Sequence, residues 1–221
     1  MRLIIVAVPA LSVSYRFVPP LAQFSSWLHS TEASLNADSP GAQVPCGECR
    51  GCCRSSMFIH IRPEEKETLA RIPKALLFKA PGQPKGHKLL GYNDRGECPL
   101  FVDNACSIYE HRPQTCRDYD CRIFAATGIP IDPETQPEIA QRVSEWKFRH
   151  ASEKSRTEQA ALRRAAAFLQ KNRGLFPPGA LPTNPGALAA LAVRLFRLFA
   201  KPPAKPKAVT VQAIMSELQR R

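Results

Sequence analysis

The residues with the type and spacing to do chemistry are eight cysteines: Cys46, Cys49, Cys52, Cys53, Cys98, Cys106, Cys116 and Cys121. An even number of cysteines at this local density has two physical readings. One is a disulfide framework in an oxidising compartment; the other is a thiolate metal site in a reducing one. The run Cys46-Gly47-Glu48-Cys49-Arg50-Gly51-Cys52-Cys53 is C-x2-C-x2-C-C. Cysteines this close are poor disulfide partners for one another but good ligands, because a C-x2-C turn can aim both sulfurs at one ion. Gly47 and Gly51 let the backbone fold tightly around it. Adjacent Cys52 and Cys53 are expected to face different ways, so that one ligates a second ion or remains a packed thiol.

The downstream cysteines sit in a more particular context. Cys98-Pro99-Leu100 leads to Cys106-Ser107-Ile108-Tyr109, then to Arg112-Pro113-Gln114-Thr115-Cys116-Arg117-Asp118-Tyr119-Asp120-Cys121. Together with the first run this resembles the CxxCxxCC family, also called the YkgJ-type cysteine cluster family, over about Val44 to Phe124. The resemblance implies chelation of zinc or iron, including an iron–sulfur cluster, with all eight cysteines as metal residues. A similar cluster occurs in flagellin lysine N-methylases, so the resemblance also raises a protein-lysine N-methyltransferase-like enzyme as an alternative. Eight thiolates suit two tetrahedral zinc sites, or one [4Fe–4S] cluster with four cysteines left over. The C-x2-C-x2-C start is ferredoxin-like, but Cys53 follows at once where a ferredoxin run places its fourth cysteine and proline later. Zinc, iron and a disulfide framework stay open at this level.

Arg112, Arg117 and Arg122 lie among the cysteines. Arg112 and Arg117 are expected to pair with Glu110, Asp118 or Asp120; offsetting thiolate charge or binding an anionic substrate is the alternative for the guanidinium groups. Tyr109 and Tyr119 are expected to pack over the cluster. His111, between Cys106 and Cys116, is not needed as a ligand. No G-x-S-x-G, G-x-x-x-x-G-K-[ST] or H-E-x-x-H motif is present, so no catalytic residue is assigned.

The elements positioning these residues read as an α+β arrangement. A small, irregular, metal-stabilised cysteine-cluster domain with short strands and helices precedes a long helix and a Pro-rich helical tail. Residues 1–43 read as a flexible leader, either a weak signal or a mis-called start, because Leu3–Leu11 is a short apolar run behind one arginine. Residues 44–173 read as the cysteine-cluster domain with its long helix over 137–171, and 174–221 as a basic Pro-rich tail. Within the cluster domain, Phe58–Ile61 reads as a strand and Arg62–Ala70 as a helix with Pro63 in its first turn. Residues 81–88 read as a loop, and Gly91–Gly96 as a turn joining two short strands that end at Cys98. Short helical turns are expected at 107–110 and 113–116. In the tail, Asn184-Pro185 offers an N-cap and first-turn proline for an amphipathic helix bearing Leu188, Leu191, Leu195, Leu198 and Phe199, and a short helix closes the chain at 211–218.

Charge divides the chain as sharply as cysteine does. Of 31 Lys/Arg and 19 Asp/Glu in 221 residues, residues 1–141 hold a balanced set, and the whole excess of +12 falls in 142–221. A solvated helix face is the plain reading; an acidic protein partner, an anionic membrane surface or a zinc-ribbon-like nucleic-acid contact are the sharper ones. No apolar run reaches the ~18 residues of a spanning helix, which excludes a multi-pass membrane protein. Thiolate chelation favours a cytoplasmic setting.

Overall fold

Small and apolar residues recur every three to four positions through two C-terminal segments, and these build the larger core. The computed structural model describes residues 22–36, 41–42, 44–201 and 207–219; the apolar run at 3–11 lies outside them. In chain order the elements are β1 (Ala22–Gln23), α1 (Phe24–Asn36), β2 (Ile59–Ile61), α2 (Lys66–Arg71), β3 (Leu77–Lys79) and β4 (Lys88–Leu90). There follow β5 (Phe101–Val102), β6 (Ala105–Cys106), α3 (Gln114–Asp118), α4 (Arg122–Thr127), α5 (Pro137–Glu145), β7 (Phe148–Arg149), α6 (Glu153–Lys171), α7 (Pro185–Leu195) and α8 (Lys207–Gln219). The chain is thus mixed helix and short strand, with helices dominating its C-terminal half.

Helix α6 starts at Ser152, whose hydroxyl accepts from the Ser155 amide at 3.2 Å. It buries Ala161, Leu162, Ala165, Ala166 and Leu169 along one stripe. Helix α7 starts as its sequence predicts: the Asn184 side chain accepts from the Ala187 amide at 3.1 Å, with Pro185 in the first turn. Ala189 and Ala192 on α7, with Ala165 and Ala166 on α6, are fully or almost fully buried. Small side chains in this shared core let helices approach closely while Leu188, Leu191 and Leu195 supply burial. The amphipathic tail helix therefore packs back on the fold and continues as a 3-10 turn over Phe196–Phe199, burying Phe196 and Phe199 and leaving Leu198 exposed.

Two sequence expectations give way here. Part of the expected flexible leader, residues 24–36, is helix α1, and its Phe24, Trp27 and Leu28 lie in the same core. Phe24 meets Trp27, Phe148 and His150 at ring-centroid distances of 5.4–5.7 Å. The expected long helix over 137–171 is broken. α5 ends at Glu145, and β7 pairs in parallel with β1 through Ala22↔Phe148 and Gln23↔Arg149 before α6 begins. Phe148 packs with Phe24 and Trp27 of α1, and Trp146 is buried in the same core rather than continuing a solvated helix, so tertiary burial overrides helical propensity.

A smaller core holds the cysteine region. β2, β4 and β3 form an antiparallel sheet in that order, with Ile59↔Leu90 and Leu77↔Leu90 in register. Ile59, Ile61, Ile72, Leu90 and Leu100 cluster on one side. The loop over 81–87 joins β3 to β4, but no strand ends at Cys98. That segment instead runs into a β5–β6 hairpin whose turn residues Asp103 and Asn104 both have positive φ, the type I′ geometry that matches strand twist.

The excess arginines of the C-terminal half serve helix ends. Arg163 donates to the Ala125 and Ala126 carbonyls at the end of α4, and Arg194 to the Leu35 carbonyl at the end of α1. Arg164 donates to the Phe199 and Ala200 carbonyls. Cations belong at helix C-termini, where carbonyls lack intrahelical partners. Among the described residues no helix is long and apolar enough to cross a membrane.

His60, between buried Ile59 and Ile61, projects from the other side of β2 and meets His87 with Nε2···Nδ1 at 2.8 Å. Desolvation first, then the neighbouring His87, lowers its pKa from 6.5, with Glu65 opposing and Arg62 adding. A lowered histidine pKa means the unfolded chain binds more protons, so this contribution to stability falls as pH drops below about 6.5. The expected result is a Tm that falls less between about pH 7 and pH 5.5 in His60→Gln than in the parent chain. Equal slopes for the two proteins would remove His60 from the acid sensitivity.

Candidate metal centre

The first cysteine run folds as a turn followed by a 3-10 turn. The Cys49 amide donates to the Cys46 carbonyl at 3.1 Å, and the Cys53 amide to the Arg50 carbonyl at 2.9 Å. The two glycines act differently. Gly47 sits at φ +57°, in the left-handed region. Gly51 lets α5 press close, since a Cβ there would lie 3.0 Å from the Ile139 side chain. Residues 51–54 form the 3-10 turn, in which neighbouring side chains diverge by about 120°. The turn thus gives Cys52 and Cys53 diverging directions.

The thiols close enough to raise Cys52 by their charge are Cys121, Cys46, Cys49 and the adjacent Cys53. Those that raise Cys53 are Cys98 and Cys106, and those that raise Cys116 are Cys98, Cys53 and Cys106. The Cys52–Cys53 step aside, these charge interactions run among Cys46, Cys49, Cys52 and Cys121 and among Cys53, Cys98, Cys106 and Cys116. The Cys98 amide donates to the Cys53 carbonyl at 2.7 Å, which ties the second group across the chain. Cys106 comes from β6, and Cys116 from α3, which Thr115 fastens to β2 through the His60 carbonyl at 2.7 Å.

All eight cysteines are free. Seven of them, all but Cys121, line a cavity of about 650 Å³. Among the described residues no three Cys, His, Asp or Glu side chains are already drawn together tightly enough to hold one ion. Burial is the largest influence on the shifted thiols. It pushes Cys53 up to about 11 and Cys116 up to about 12, with the nearby cysteines adding. Cys52 is open to the cavity but enclosed by protein, and burial with its four cysteine neighbours drives it higher still. Cys121 rises to about 12 by burial, although the Trp146 indole N–H donates to its sulfur at 3.4 Å and favours the thiolate. Burial and mutual repulsion disfavour thiolates, and a bound cation relieves both. The all-thiol donor set therefore fits a soft or borderline metal.

The other sequence-marked residues sort themselves clearly. Asp120 receives a fork from Arg122 with contacts of 2.8–3.0 Å and also accepts from the Trp27 indole at 2.9 Å. Arg112 and Arg117 depart from their expected pairing. They donate to the carbonyls of Tyr109 and of Arg112 and Glu110, and among the described residues neither contacts a carboxylate. Tyr119 is enclosed beside Cys52 and Cys121, and burial pushes its phenol far up, so it is held neutral. Tyr109 is exposed under the Arg112 guanidinium. His111 pairs with Glu67 at 3.4 Å. Two supports escape sequence reading: Trp146 at Cys121, and Arg142, which donates to the Cys46 carbonyl and to Glu145. Neither belongs to a spacing motif.

Fold and site together define a cysteine-rich α+β protein with a thiol-lined cavity beside a helical core. Comparison with known proteins agrees. Residues 45–135 match the CxxCxxCC family model, described as "putative zinc- or iron-chelating domain". No curated protein and no solved structure matches the chain.

Proposed function

We propose that the chain chelates zinc or iron through two four-cysteine groups. Cys46, Cys49, Cys52 and Cys121 form one site; Cys53, Cys98, Cys106 and Cys116 form the other. What supports this reading is that, the Cys52–Cys53 step aside, the charge interactions that raise the thiols run within these two fours. Four thiolates complete a tetrahedral zinc shell or hold one iron–sulfur cluster. Binding draws each group inward over the cavity and releases protons from the raised thiols, so affinity weakens as pH falls. The bound metal supplies cross-linking of the four segments and, if iron, redox capacity.

The protein's own groups set this up. The 3-10 turn aims Cys52 and Cys53 apart, the Cys98–Cys53 backbone bond fixes the second group, and Trp146 donates to Cys121. Metal analysis and an absorption spectrum on the full chain purified without oxygen test the reading. About two zinc per chain without colour, or iron with sulfide and absorbance near ~400 nm, supports it. Less than one metal of either kind per chain, with intact fold, overturns it.

A further inference from the structure

The cavity that holds the thiols has a second chemical character. Its charged lining residues are Arg50, Arg112 and Arg117, and among the described residues no Asp, Glu or Lys lines it. Each guanidinium is fixed by backbone carbonyls. Arg50 donates to Gly47, Cys49 and Asn104, Arg112 to Tyr109, and Arg117 to Arg112 and Glu110. None of the three has a carboxylate partner among the described residues. The arginines just outside are neutralised: Arg54 by Glu97 and Glu138, Arg122 by Asp120, Arg142 by Glu145. Among the described residues, these outer arginines have counter-charges and the three on the cavity wall do not.

The remaining lining agrees with a ligand. The cavity of about 650 Å³ is shared with seven of the eight thiols, so the ligand lies in one space with the proposed metal groups. Phe58, Leu90 and Ile108 give it an apolar wall, and Tyr109 stacks against Arg112 at 4.1 Å. Arg112 and Arg117 are neighbours, joined through the Arg112 carbonyl at 3.2 Å. A guanidinium held by carbonyls on some N–H groups keeps others for a planar anion.

We propose that this cavity binds a small organic carboxylate, its head on Arg112 and Arg117 and its apolar body against Phe58, Leu90 and Ile108. The site goes beyond the metal reading and needs the cavity and the arginines rather than the ion. Octanoate and octanol are matched probes that share the apolar body and differ in the charged head. Titration calorimetry uses the full chain as purified, with metal content measured on the same samples. Octanoate is expected to bind at least about ten-fold tighter than octanol. In the double variant Arg112→Gln/Arg117→Gln, compared at matched metal loading, that preference falls to within about two-fold. Should the double variant not fold, Arg112→Gln alone carries the test, with a loss of about three-fold or more in octanoate affinity.

Equal affinity for the two probes overturns the proposal. So does an unchanged octanoate preference in the variants, or variants that lose metal but not octanoate. The last outcome makes the arginines counter-charges to thiolates only. A chain without metal that still prefers octanoate keeps this proposal and removes the metal reading, so the two fail separately.

Discussion

Replacing Cys52 with serine should remove one metal site per chain and leave the other, and replacing Cys53 should do the reverse. The two residues are adjacent, so an ordinary packing lesion would treat them alike. The proposed grouping separates them: besides each other, Cys52 feels the charge of Cys46, Cys49 and Cys121, whereas Cys53 feels Cys98 and Cys106 and acts on Cys116. Removing one thiolate from a four-thiolate site weakens binding that is worth ~10–16 kcal/mol for structural zinc in small peptides. Much of the local order of the affected segment goes with it. Trp146 gives an independent reading, because its N–H contacts Cys121 of the first group. Its emission should respond to metal in Cys53→Ser and not in Cys52→Ser. Metal content, Trp emission and amide exchange of 98–118 distinguish the variants. Identical losses in both, or no loss in either, would show that the thiols do not divide as described.

Phe24→Ala should destabilise the chain by about 3–5 kcal/mol, the range for truncating a buried aromatic side chain. That is a large share of the ~5–15 kcal/mol that folded domains possess. Phe24 is fully buried and sits among Trp27, Phe148 and His150. Its loss leaves a cavity beneath the β1–β7 pair, because that pair and helix α1 bracket the same aromatic cluster. His29→Ala on the exposed side of α1 is the control, expected within about 0.5 kcal/mol of the parent. Denaturant unfolding of both, at matched metal content, reads the difference. A Phe24→Ala midpoint equal to the parent's would return residues 24–36 to the status of a leader.

The cysteine site is legible in the sequence because ligand chemistry depends on residue type and short spacing. The divergence of Cys52 and Cys53 follows from their adjacency, and the start of α7 follows from Asn184-Pro185. Helix α1 is harder to read. Phe24, Trp27, Leu28 and Leu35 keep helical spacing, but the Ser- and Ala-rich stretch around them resembles a linker. Its partners lie far along the chain: Arg194 caps Leu35, and Arg197 pairs with Glu32. The break between α5 and α6 carries neither proline nor glycine at 146–152. It exists because Trp146 and Phe148 find burial in an extended path, a choice set by distant residues. The Asp103-Asn104 turn is the signal that sequence reading passes over, since both residue types tolerate positive φ.

Cys121 belongs to two structures at once. Its side chain lies in the helical core, accepts the Trp146 N–H, and stands in the first thiol group. A perturbation on either side therefore travels through one sulfur atom. By reciprocity, whatever a bound ion adds to the firmness of α4 and Trp146, a well-packed α4 must return as affinity for the ion. If Cys121 ligates the ion as proposed, variants deep in the α6–α7 seam, touching no cysteine, should act as dials on metal affinity, and the ion in turn as a gauge of how well the helices are seated.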